Sequence, residues 1–102
     1  MTSSILHISV RELCEHEGIS EQQVTTIVEY GIARPLRGRN ARDWEFDTAS
    51  AGWMQKALRL RRDLELDWVA TAMLIDLLQQ RDQLHRDNRN LRQQLQRFLL
   101  ED

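Results

Sequence analysis

The sequence predicts a mostly α fold: a winged helix-turn-helix body followed by a long C-terminal dimerisation helix. Three observations predict it. Two serine-capped amphipathic segments, one ended by Gly18 and the next by Gly31, are joined by a tight turn. A stretch carrying Pro35 and Gly38 then interrupts the helical period, as a small hairpin would. From Trp68 to Leu100 there is neither glycine nor proline. Residues 1–67 are therefore expected to form the body and 68–102 the long helix with its coiled-coil segment, within one domain overall.

Each element has its own signal. Ile5 to Ile8 fits a short strand or a lead-in. Ser9 with Glu12 three residues on is a capping box, so a first helix starts near Val10, with Val10, Leu13 and Cys14 on its apolar face. Ser20 with Gln23 repeats the pattern and starts a second helix, on which Val24, Ile27 and Val28 face inward. Ile32 to Phe46 is the expected wing. Its turn chemistry lies at Gly38, Arg39 and Asn40, its strand at Trp44 and Phe46, and Arg37, Arg39 and Arg42 surround the tip. Asp47 caps a third helix to about Leu64, with Ala49, Trp53, Ala57, Leu60 and Leu64 on one stripe.

Asp67 caps the fourth helix. Its 33 residues would span about 50 Å at 1.5 Å per residue, against roughly 30 Å for a small domain, so the far half must project. That half carries a heptad pattern. Leu77, Leu84, Leu91 and Phe98 recur every seven residues, with Leu74, Arg81, Asn88 and Leu95 interleaved. Burying each leucine is worth roughly 1.5–3 kcal/mol, so pairing with a second copy is favoured. Leu77, Leu84, Asn88, Leu91, Leu95 and Phe98 are the expected dimerisation residues, and the polar positions select the register.

Composition sets the bounds. The chain has 102 residues, 29% of them charged, and a formal net charge of −2. No apolar run approaches the ~18 residues of a membrane span. Met1 to Ser4 show no signal-peptide pattern, and Cys14 has no partner for a disulfide, which fits a reducing cytoplasm. Cys14 and His16, with His7 and His85 elsewhere, lack zinc-ligand spacing, and no nucleophile motif or phosphate loop is present. The expectation is no enzyme activity, no cofactor and no metal. Trp44, Trp53 and Trp68 fit core positions better than a ligand pocket.

The charge is strongly blocked. Residues 1–30 hold Arg11 against Glu12, Glu15, Glu17, Glu21 and Glu29, whereas residues 31–62 hold eight basic residues against three acids. Residues 63–80 hold Asp63, Glu65, Asp67 and Asp76 with no base. The second helix, which should enter a DNA groove, offers Glu21, Gln22, Gln23, Thr25, Thr26 and Glu29 outward. Readers of DNA meet its phosphates with arginine or lysine, so two glutamates and no cation oppose base reading. An acidic, protein-binding face is the expectation, with Glu12, Glu15, Glu17, Glu21 and Glu29, or Asp63, Glu65, Asp67 and Asp76, as the partner-binding candidates. The pattern alone does not choose between the two groups.

The residues also resemble a known family. Leu13-Cys14, Gly18-Ile19-Ser20-Glu21, Ile27-Val28, Gly31 and Pro35 resemble the CbpM chaperone-modulator family, and the likeness continues through Trp44-Glu45-Phe46-Asp47. It is most specific from Ala57 to Trp68 and resumes at Asn88-Arg89, Leu91-Arg92-Gln93, Leu95 and Arg97-Phe98. The resemblance implies a MerR-like winged helix-turn-helix that dimerises through an antiparallel coiled coil. It also implies binding to the J-domain of a CbpA-type, DnaJ-like co-chaperone, blocking that domain's access to DnaK and weakening the co-chaperone's DNA binding. J-domains present a basic helix beside a His-Pro-Asp loop, which acids would suit. Arg37, Arg39 and Arg42 make the wing more basic than the family pattern and keep a residual nucleic-acid contact open. The alternative is a MerR-like DNA-binding transcriptional regulator on a pseudo-palindromic operator.

Overall fold

The computed structural model describes residues 6–100; the Met1–Ile5 lead-in, including the first residue of the expected strand, lies outside the described residues. Strand β1 (His7–Ser9) runs into helix α1 (Val10–His16), followed by α2 (Glu21–Glu29). A 3-10 turn at Ala41–Asp43 leads to strand β2 (Glu45–Asp47), then to α3 (Thr48–Leu64) and α4 (Trp68–Leu100). The two short helices start where the serines place them. Ser9 accepts from the Glu12 N–H and the Glu12 carboxylate accepts from the Ser9 N–H, at 3.1 and 3.0 Å. Ser20 and Gln23 repeat this at the same distances. Gly18 takes φ +69° between them, a conformation that L side chains disfavour, and so permits the abrupt turn.

The wing differs from the expected hairpin. β2 pairs antiparallel with β1, with Ile8 opposite Phe46. The preceding arm contributes one bridge, Arg37 to Glu45. Pro35 has no N–H to donate, so this arm cannot supply a continuous ladder, and the extended lead into α1 takes its place. The loop closes on Gly38 at φ +111°, where a Cβ would meet the Asp43 carbonyl oxygen at 2.5 Å. Arg37 is drawn off the tip by Glu45 at 3.2 Å and His7 at 3.1 Å, leaving Arg39 and Arg42 exposed at the loop.

The core lies between the helix pair, the sheet and α3. Leu13, Ile19, Val24, Ile27, Phe46 and Met54 are fully buried in it, and Ile75 of α4 closes it. Two expected stripes shift. On α1, Val10 and Leu13 are buried but Cys14 is exposed, because it opens onto a groove that no element covers. On α3, Ala51, Met54 and Ala57 form the buried ridge, with Trp53, Leu58 and Leu60 packed beside it. Ala49 and Leu64 are exposed, since one lies in the first turn and the other at the last residue before α4 departs. Trp44, Trp53 and Trp68 pack half-buried at the rim of the core.

α3 ends at Glu65, whose φ of 53° is left-handed, and both Glu65 and Leu66 donate backbone N–H groups to the Arg61 carbonyl. α4 then starts under Asp67, whose side chain accepts from the Ala70 N–H at 2.8 Å. Trp68 stacks on Tyr30 with ring centroids 6.1 Å apart, and the Arg61 guanidinium lies 4.6 Å from its ring centre. α4 continues unbroken, and the molecule extends 57 Å along its longest axis.

Two stability effects follow. Met54→Ala should cost about 2–5 kcal/mol in urea unfolding, because it leaves a cavity at a fully buried site, whereas Leu64→Ala should change stability by about 0.5 kcal/mol or less. Glu65→Gly should raise stability by about 1 kcal/mol by removing a side chain from left-handed backbone.

Candidate protein-interaction faces

α2 sits where a groove-reading helix would sit and turns Val24 and Ile27 inward. Its outward threonines are engaged locally: Thr25 and Thr26 donate to the Glu21 and Gln22 carbonyls at 3.0 Å. The exposed remainder is Glu21, Gln22 and Glu29, with no cation on the helix. Glu21 also lines an open groove with Val10, Arg11, Cys14, Glu15 and Arg42, so acid and base alternate at its edge.

The candidate acids divide by what already holds them. Glu12 is spent on the α1 capping box. Its carboxyl is held below the ordinary glutamate range, first by the Ser9 backbone N–H and then by the Ser9 hydroxyl, with a further contribution from His16. Glu15 pairs with Arg11 at 3.2 Å, and Glu17 accepts from the Gln55 amide. Asp63 pairs with Arg62 at 3.1 Å, Asp67 caps α4, and Asp76 accepts from Gln80 at 2.9 Å. Glu21, Glu29 and Glu65 make no side-chain hydrogen bond or ion pair with another described residue. The structure therefore does not gather either group into one continuous acidic site. It leaves one pair of free carboxylates on α2 and one at the α3–α4 corner.

A long apolar seam on α4 is uncovered. Leu77, Leu84, Leu91, Leu95 and Phe98 are 59–69% exposed, with Asn88 exposed among them and Arg81 on their edge. Val69 and Met73 extend the seam back alongside the body and are equally open. At about 100° per residue, this stripe lies opposite the side on which Thr71 and Ile75 enter the core. It runs about 44 Å from Val69 to Phe98 at 1.5 Å per residue. The heptad reading missed Val69 and Met73, although their four-residue spacing to Leu77 was the available signal. Asp82 and Arg86, four residues apart, do not pair with each other; Asp82 takes Arg81 at 3.4 Å and Arg86 donates to Gln83. Among the described residues no group of three potential metal ligands converges, and no helix is long and apolar enough to cross a membrane.

Two capped helices, a short sheet-closed wing and a long trailing helix define a MerR-type helix-turn-helix protein, and the family described as MerR HTH family regulatory protein matches residues 8–93. Proteins named chaperone modulatory protein CbpM from Salmonella paratyphi B, Salmonella newport and Salmonella enteritidis are each 38% identical to it over 99 residues. The match spans 97% of this chain and 97% of theirs. The chain belongs to the CbpM family, a MerR-like branch whose names denote modulators rather than catalysts.

The Glu12 carboxyl gives a pH effect with a definite sign. Its folded-state pKa lies below its unfolded value, so its contribution to stability is present above the ordinary glutamate pKa of about 4.3 and is lost as pH falls through and below it. Glu12→Gln should therefore show a shallower loss of stability on acidification than the parent chain, as read by thermal unfolding across that range.

Proposed function

We propose that this protein is a chaperone modulator that binds the J-domain of a CbpA-type, DnaJ-like co-chaperone. By covering that domain it blocks access to DnaK and weakens the co-chaperone's hold on DNA. The observation that carries this reading is the exposed face of α2. The helix in the groove-reading position shows Glu21, Gln22 and Glu29 and no cation, which opposes a polyanion and suits a basic helix. The names of the Salmonella relatives support the same reading. Glu21, Glu29 and Glu65 are the acids free to meet the partner, while Glu12 and Asp67 act through helix starts. The mechanism is occlusion in the cytoplasm and needs no cofactor.

The acting species is a homodimer paired along α4. Its support is the uncovered seam from Val69 to Phe98, since a stripe of that length is costly to leave in water. Two copies would carry two α2 faces at fixed spacing. Division into a body of residues 1–67 and a helical arm of residues 68–102 is part of this reading, with the first turns of the arm packed on the body through Thr71 and Ile75.

Titration calorimetry should show binding to a CbpA J-domain and none to a DnaJ J-domain. Glu21→Lys with Glu29→Lys should weaken binding about tenfold or more, and raising salt should weaken the parent. Tight operator-selective DNA binding, with α2 in the groove, would overturn the reading in favour of a transcriptional regulator. Leu84→Lys with Leu91→Lys should give monomers by sedimentation and weaker inhibition. A monomer that inhibits as well as the parent would remove dimerisation from the mechanism.

A further inference from the structure

Beyond the body, no described residue of another element packs on the side of α4 that carries Thr71 and Ile75 into the core, and that side changes character. At about 100° per residue, Asp82, Arg86, Arg89 and Gln93 continue that side, with His85 and Arg92 on its flank. Asp82, His85, Arg86, Asn88, Arg89 and Arg92 line one open trough there. Asp82 is paired with Arg81 at 3.4 Å, and Arg86 meets only the neutral Gln83. Among the described residues, no carboxylate lies within ion-pair distance of Arg86, Arg89 or Arg92. Like charges at this spacing disfavour a helix, so the triplet is set for an anion from outside the chain.

We propose that Arg86, Arg89 and Arg92 form a nucleic-acid backbone site, gripping phosphates without reading sequence. The chemistry of the face selects this occupant over an acidic protein. Between Asp82 and Gln96 it carries no aliphatic side chain and no Phe, Tyr or Trp. Protein interfaces draw their energy from such anchors buried at the centre. Phosphate contacts need none, and guanidinium groups match phosphate oxygens in pairs. The three arginines follow one another along about 9 Å of axis at 1.5 Å per residue, as a linear polyanion requires. At about 100° per residue, Arg86 and Arg89 are turned away from Leu84 and Leu91 and stay open when that seam is covered, while Arg92 and the seam residue Asn88 border it. The site is separate from α2 and does not depend on the J-domain reading.

Fluorescence anisotropy with the full chain and a labelled mixed-sequence DNA duplex of about 20 base pairs tests it. Binding should be in about the micromolar range at about 50 mM salt and weaken about 40-fold by about 200 mM, the fall expected for three phosphate contacts. A shuffled duplex should bind equally. The R86E/R89E/R92E variant should lose binding more than about tenfold, with its log–log salt slope reduced by about 2.7, while R39E/R42E in the wing retains most of it. Circular dichroism and J-domain binding of the triple variant should match the parent, so the two readings fail separately. Absence of binding at low salt, loss on the wing variant with the triple variant unaffected, or displacement of the duplex by polyglutamate at equal charge would each overturn the proposal.

Discussion

The packing of Trp68 governs the rest of the molecule. It is the first residue of a helix that leaves the body, and it is held between Tyr30 at the end of α2 and Arg61 of α3. Arg61 has a buried Nε with no hydrogen-bond partner among the described residues, and the indole face offers its guanidinium a cation–π contact. Asp67 fixes the helix start and Thr71 returns its hydroxyl to the Asp67 carbonyl at 2.7 Å, so the first turn is satisfied as it enters the core. With those turns fixed, rotation of α4 about its axis is fixed as well. Every residue from Val69 onward is assigned to a side by that single constraint.

The consequence is a helix with two outward faces of different chemistry. One is an apolar stripe from Val69 to Phe98, interrupted by Asn88; the other, past the end of the body, is basic at Arg86, Arg89 and Arg92. Neither face competes with α2, whose free carboxylates lie on the helix pair. Charge blocks that nearly cancel in the formal net charge of −2 are thus kept apart in space, where each retains its own attraction for a partner.

The acidic residues show how composition alone misleads about interaction surfaces. Nine carboxylates looked equivalent as candidates. Glu12 and Asp67 turn out to hold helix starts, and Glu15, Glu17, Asp63 and Asp76 have intramolecular partners. Glu65 is exposed in left-handed backbone, Glu21 and Glu29 on the outer face of α2. A carboxylate already accepting a backbone N–H has less to offer a partner, because its best hydrogen bond is made.

What the sequence by itself determined was local. The Ser9 and Ser20 caps, the glycine turns, the Asp47 and Asp67 helix starts and the unbroken run to Leu100 all act within a few residues, so each was legible from spacing. The heptad spacing of the leucines that stand exposed along α4 was legible for the same reason. Tertiary structure decided what depends on a distant neighbour. β2 pairs with β1 across 38 residues instead of with the arm before it, Cys14 is left open where nothing covers it, and the α3 ridge runs through Met54 instead of Ala49. Periodicity states which residues share a side of a helix. Only the elements packed against that helix choose which side is buried, and that choice turned Val69 and Met73 outward to lengthen the seam.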